Sequence, residues 1–148
     1  MHVACAVTLW RRAGRARTTR YVVKKNKAST VSSHWMRWGG ITLFLFIVWH
    51  LLNFTIGKVN VQGGPTDDPY DLLVDSFDTW WLTVIYLVAM AALAMHLRHG
   101  VWSSAQTLGL TNNARARRNA NVLGVLLAVV IAGGFSLVPL FTLFGVIS

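Results

Sequence analysis

The sequence predicts an all-α membrane protein, a transmembrane helix bundle with three full spans and a partial helix at the N-terminus. Three observations predict it. Of 148 residues, 54% are hydrophobic and only 13% charged, too little charge for a soluble domain of this size. Apolar runs near residues 35–57, 79–102 and 121–147 each reach the roughly 20 residues that cross a bilayer. The charges are also segregated. All five acidic residues (Asp67, Asp68, Asp71, Asp75, Asp78) fall between the first two runs, and of fourteen Lys and Arg only Lys58 joins them there.

The N-terminal element is Met1–Trp10, an apolar stretch followed at once by Arg11 and Arg12. A signal peptide places its positive residues before the apolar region, so the order is wrong for one. The stretch is also too short to span, and it reads as the cytoplasmic end of a transmembrane helix whose beginning is missing. Residues 11–34 form a basic cytoplasmic connector, attractive to anionic lipid headgroups or an acidic partner surface. A plain solvated loop explains it equally well. The net charge of +9 therefore belongs to membrane topology rather than to nucleic-acid binding.

Residues 35–148 form the bundle. By the positive-inside rule the 11–34 segment and the 108–121 loop are cytoplasmic, while the acidic loop 58–78 and the C-terminus are external. Trp35 and Trp38 at the inner end of the first span, Trp80 and Trp81 at the outer end of the second, and Trp102 at its inner end sit where interfacial aromatic belts lie. Trp49 alone lies at depth. Gly39–Gly40 and Gly133–Gly134 are expected to allow close approach of helices or of a macrocycle, and Pro139 to bend the last span.

His50 and His96 carry the functional signal, because an ionisable side chain inside a span is costly and usually faces a bundle interior or a cofactor. A neutral imidazole is also the axial ligand that haem iron most often takes from protein. Their depths differ. His50 lies 13 residues beyond Arg37, roughly 20 Å from the inner end at 1.5 Å per residue. His96 lies 18 residues beyond Asp78, roughly 27 Å from the outer end. One haem cannot take both, so two haem levels are expected if both bind. His2, roughly 13 Å from the inner end of its helix, matches His96 in depth. His50 has no such partner in this chain.

These residues resemble a family. Arg37–Phe54 (RWGGITLFLFIVWHLLNF) is similar to the third helix of the single-chain, five-helix cytochrome b anchors of succinate:menaquinone oxidoreductases and fumarate reductases. His96–Leu110 (HLRHGVWSSAQTLGL) resembles their fourth helix, and His2 with its apolar run and basic loop the end of their second. The resemblance implies that His2 and His96 are axial ligands of the haem nearer the cytoplasm and His50 one ligand of the outer haem. The family's first helix and most of its second have no counterpart here. One or two b haems, a flavoprotein subunit, an iron–sulfur subunit, menaquinone as acceptor and the bacterial cytoplasmic membrane come with the same resemblance. A chain of this kind passes electrons and catalyses nothing alone.

Further candidates have structural readings beside the functional one. Arg37 and His99 are candidate haem propionate contacts, or an anchoring charge and an interfacial histidine. Asn53 and Thr55 are candidates to line a quinone site, or to hydrogen-bond between helices. His34 fits an interfacial position. Cys5 is a lone thiol, which excludes an internal disulfide and a Cys-x-x-Cys haem attachment and favours non-covalent b haem. A haem-free structural anchor, and a small transporter or assembly protein, stay open as alternatives.

Overall fold

The computed structural model describes residues 1–16, 31–64 and 66–147. Among them there is no strand, and the helices are α1 (His2–Arg15), α2 (Val31–His50), α3 (Pro69–Asp78), α4 (Trp80–Thr107), α5 (Ala114–Ala128) and α6 (Gly134–Leu143). A π-helical turn, Leu51–Thr55, extends α2, and a second, Val129–Gly133, joins α5 to α6. Three continuous rods result, Trp35–Thr55, Trp80–Thr107 and Ala114–Leu143, each long and apolar enough to cross a membrane. The expected basic connector falls largely on residues 17–30, outside the described residues, although α1 itself runs on through Arg11 and Arg12 to Arg15.

Helix α4 is the centre. Helix α2 packs on one side of it and the α5–α6 rod on the other. Small side chains permit this: Ala89 and Ala92 on α4 are buried, and the carbonyl of Ala92 lies 4.0 Å from where a Cβ on Gly39 would stand. Ala89, Met90 and Ala132 form the buried apolar cluster, with Phe46, Leu93 and Ala94 packed around it. Large apolar residues such as Phe44, Leu45, Val88, Leu126 and Val130 stay exposed along the rods. So much apolar surface is adhesive in water but is solvated by lipid chains.

The two glycine pairs differ in their surroundings. Gly39 and Gly40 do face α4, whereas nothing lies within 4 Å of a Cβ at Gly133 or Gly134. The tightest helix contact is at Gly124, where a Cβ would stand 2.9 Å from the carbonyl oxygen of Arg98. Pro139 is buried inside α6, whose helix continues to Leu143.

Local chemistry explains the turns. Gly109, at φ +71°, ends α4 in the left-handed region that favours glycine, with Leu110 N–H bonding back to the Ala105 carbonyl at 2.9 Å. Asn113 then caps α5 by accepting from Ala116 N–H at 2.8 Å. The cap starts the helix at Ala114, so Arg115, Arg117 and Arg118 stand on α5 rather than in an inter-span loop. In the acidic segment, Asp68 caps α3 by accepting from Tyr70 N–H at 2.8 Å, with Pro69 opening the helix. Asp is a strong N-cap and Pro is preorganised for the first helical position, so the expected loop 58–78 contains a helix.

Candidate functional site

Two histidine sites lie at two levels of the bundle. His96, half-buried on α4, lies with its Cε1 3.9 Å from a Cβ built on Gly40. His50 is ten residues farther along α2 than Gly40, about 15 Å at the helical rise. The two histidines therefore cannot share one iron.

At the first level the structure brings His2 and His96 together. Their ring centroids are 6.2 Å apart and their planes cross at 79°. Among the described residues no Cα of α1 comes within 8 Å of a Cα in another helix. Helix α1 therefore reaches the bundle through side chains alone, and every residue in it is exposed. The Nδ1 atom of His96 is buried with no hydrogen-bond partner. A buried polar atom left unpartnered calls for a partner that the described residues do not supply.

This arrangement fits a bis-histidine metal. With metal–imidazole bonds of about 2 Å, two rings on opposite sides of one iron have centroids roughly 6 Å apart. Helix packing by backbone contact would leave no width for a macrocycle, and α1 stands off. Arg37 is exposed, and its Cζ lies 5.8 Å from the centroid of the Trp10 ring. His99 is half-buried one turn beyond His96, and no described ring contact or hydrogen bond ties it to either histidine.

At the second level His50 is exposed on one side and flanked by aromatic rings on the other. Its ring centroid lies 5.7 Å from Phe46, 5.5 Å from Phe54 and 6.0 Å from Tyr86. Phe77 completes the cluster at 4.8 Å from Tyr86 and 5.9 Å from Phe54. No second histidine ring is among its described neighbours. The Nε1 atom of Trp49, beside His50, is buried without a hydrogen-bond partner.

Below His50 lies a polar clasp centred on Asn53, with partners that the sequence alone does not identify. Asn53 is fully buried. Its amide nitrogen donates to the Val59 carbonyl at 2.8 Å and to Ser76 Oγ at 3.2 Å, and its oxygen accepts from the Tyr86 hydroxyl at 3.0 Å. The side chain thus joins four segments, as the helix-contact reading expects. Thr55, by contrast, is exposed in the π turn. One signal was present: a tyrosine within an apolar span needs a partner for its hydroxyl.

The acidic segment is ordered around this clasp. Asn60 donates to the Asp75 carboxylate at 2.7 Å and accepts from Gly63 N–H at 2.9 Å. Thr83 Oγ1 donates to the Phe77 carbonyl at 2.9 Å across the α3–α4 corner. Lys58 and Asp67 pair at 2.5 Å, and the lysine's hydrogen bond and charge hold the Asp67 carboxyl below the usual carboxylate range. Among the described residues no three His, Cys, Asp or Glu form a metal cluster.

A family model described as Succinate dehydrogenase/Fumarate reductase transmembrane subunit matches residues 11–133. That stretch contains His50 and His96; His2 lies ahead of it. No curated protein and no solved structure matches the chain.

Proposed function

Because the chain belongs to the succinate dehydrogenase/fumarate reductase transmembrane subunits, we propose that it is a cytochrome b anchor passing electrons from an iron–sulfur subunit to menaquinone. Its standing as a multi-pass membrane subunit follows from the family and the three rods. Family membership also sets aside the unrelated transporter or assembly protein.

The observation that carries the cytochrome reading is the His2–His96 spacing of 6.2 Å. These two residues would hold a b haem at the level of Gly40, and His50 would supply one ligand to a second. Haem, when bound, contributes one-electron chemistry tuned by its ligands and burial. Held by two histidines, the group would serve electron transfer. The residues' own tasks are positional. Gly40 leaves room beside the His96 ring, and the Phe46–Phe54–Tyr86 cluster fixes the face of α4 that His50 meets. Asn53 holds the π turn that follows His50. Thr55, exposed at that end, is the polar side chain through which a quinone would meet this region.

The orientation is part of the same proposal. The Arg37 end of the bundle carries the basic residues and faces the cytoplasm, where a flavoprotein and an iron–sulfur subunit dock. The acidic end, from Lys58 to Asp78, faces outward from the bacterial cytoplasmic membrane.

A dithionite-reduced-minus-oxidised spectrum of the membrane complex, with pyridine haemochrome quantitation per copy of the chain, tests the proposal. One or two b haems per copy are expected. A complex containing this chain but no haem would make it a structural anchor only.

A further inference from the structure

Helix α1 presents a mechanical problem. It carries His2 to His96, yet it has no backbone packing on the bundle and no buried residue. A helix joined to its neighbours by a single ring contact is free to pivot about that contact. The described residues contain one more bridge from α1 to the bundle, the Arg37 guanidinium over the Trp10 ring, 5.8 Å from its centroid.

That distance falls within the approximately 6 Å reach of a cation–π interaction, and tryptophan is the strongest aromatic partner for it. The two bridges are also well spaced. Trp10 is eight residues from His2, about 12 Å along α1, and Arg37 is three residues before Gly40, the residue that His96 faces. Two attachments about 12 Å apart fix the tilt of a rod, whereas one leaves it free to pivot. No carboxylate competes for Arg37: the acidic residues all belong to the opposite end of the bundle.

We propose that Trp10 and Arg37 form a latch that sets the tilt of α1 and thereby holds His2 opposite His96. The latch rests on the cytochrome reading for its purpose but not for its existence. Arg37 is then a positioning residue, acting on the iron site through α1 rather than by touching a propionate. Removing either half lets α1 pivot and weakens His2 ligation, while a replacement that keeps an aromatic face preserves it.

The test uses the intact membrane complex with bioorthogonal spin labels at Leu9 and Ile41, both exposed, in wild-type, Trp10→Phe, Trp10→Ala and Arg37→Met backgrounds. Pulsed electron–electron distances report α1 against α2 whether or not haem is present. The latch predicts a narrow distribution in wild type and Trp10→Phe. It predicts broad ones in Trp10→Ala and Arg37→Met, with haem retention at the His2 level weakened about threefold to tenfold. An unchanged distribution in Trp10→Ala and Arg37→Met overturns the latch. So does loss of His2 ligation in Arg37→Met with the distances unmoved, which would make Arg37 a direct contact of the bound group. Broadening in both variants, in a complex whose wild type binds no haem, upholds the latch and defeats the cytochrome reading instead.

Discussion

The Tyr86 hydroxyl donates to the Asn53 side-chain oxygen at 3.0 Å, closing a clasp between α4 and the π turn that follows His50. Through the Asn53 amide the same side chain holds the Val59 carbonyl and Ser76 on α3. One buried residue thus ties both ends of the acidic segment to the bundle.

Asn53→Leu is expected to leave the Tyr86 hydroxyl, the Ser76 hydroxyl and the Val59 carbonyl without this partner. Orphaned buried groups cost about 1–3 kcal/mol each, and partial rearrangement brings the expected loss to about 3 kcal/mol. Tyr86→Phe removes one donor and keeps the ring, for a loss of about 1 kcal/mol. Thermal denaturation of the detergent-purified complex should rank wild type above Tyr86→Phe and Tyr86→Phe above Asn53→Leu. Equal midpoints for all three would show that the clasp carries no stability.

Gly124→Ala places a methyl 2.9 Å from the Arg98 carbonyl, which forces α4 and α5 apart. Overpacking of this kind costs about 1–3 kcal/mol. Gly100→Ala, with nothing within 4 Å, should instead gain about 0.5–1 kcal/mol from helix propensity. The pair is measured by the same denaturation experiment, and opposite signs are expected.

Gly63→Ala is expected to loosen the acidic segment. A Cβ there would run into the Asp75 carboxylate and the Asn60 amide, which bond to each other at 2.7 Å. Limited proteolysis between Val59 and Asp68 should be faster in the variant, with α4 left intact.

The Lys58–Asp67 pair gives a pH signature of defined sign. Its carboxyl titrates below the ordinary value of 3.8 because Lys58 bonds to it and carries opposite charge. A depressed carboxylate stabilises the fold above its unfolded pKa and loses that contribution as pH falls through its folded value. Both groups are exposed, 44% and 96% by side chain, so screening keeps the effect on stability small. Lys58→Met should therefore raise the Asp67 pKa toward 3.8, read by carboxyl carbon chemical shift, and leave stability at neutral pH unchanged.

The spans were legible because lipid demands long apolar helices and the sequence satisfies that demand three times. His50 and His96 stood out for the same reason, as ionisable groups where they are expensive, and their separation in depth followed from helical rise alone. The Asp68–Pro69 start of α3 is legible as a cap followed by a first-turn proline, but a segment with five carboxylates reads equally as an external loop. Asn113 likewise carried the start of α5, seven residues before the apolar run. Of the clasp, Asn53 was legible as a candidate for bonding between helices, but its partners were not. Asn53 finds its partners 6, 23 and 33 residues away, so only tertiary packing creates them. The π turns left no sequence mark either, since each is a local slip in backbone pairing, as with Ile56 N–H bonding to the Leu51 carbonyl at 2.7 Å. The Trp10–Arg37 contact joins residues 27 apart in sequence on different helices, beyond the reach of local periodicity.

The central claim, that His2 and His96 ligate one haem, is tested most directly by electron paramagnetic resonance of the oxidised complex, wild type against His2→Ala. The account predicts a low-spin ferric signal in wild type that is lost from the His2-level haem, in favour of high-spin iron or an empty site, in His2→Ala. An identical low-spin spectrum in the two proteins, or no ferric haem in either, would contradict it.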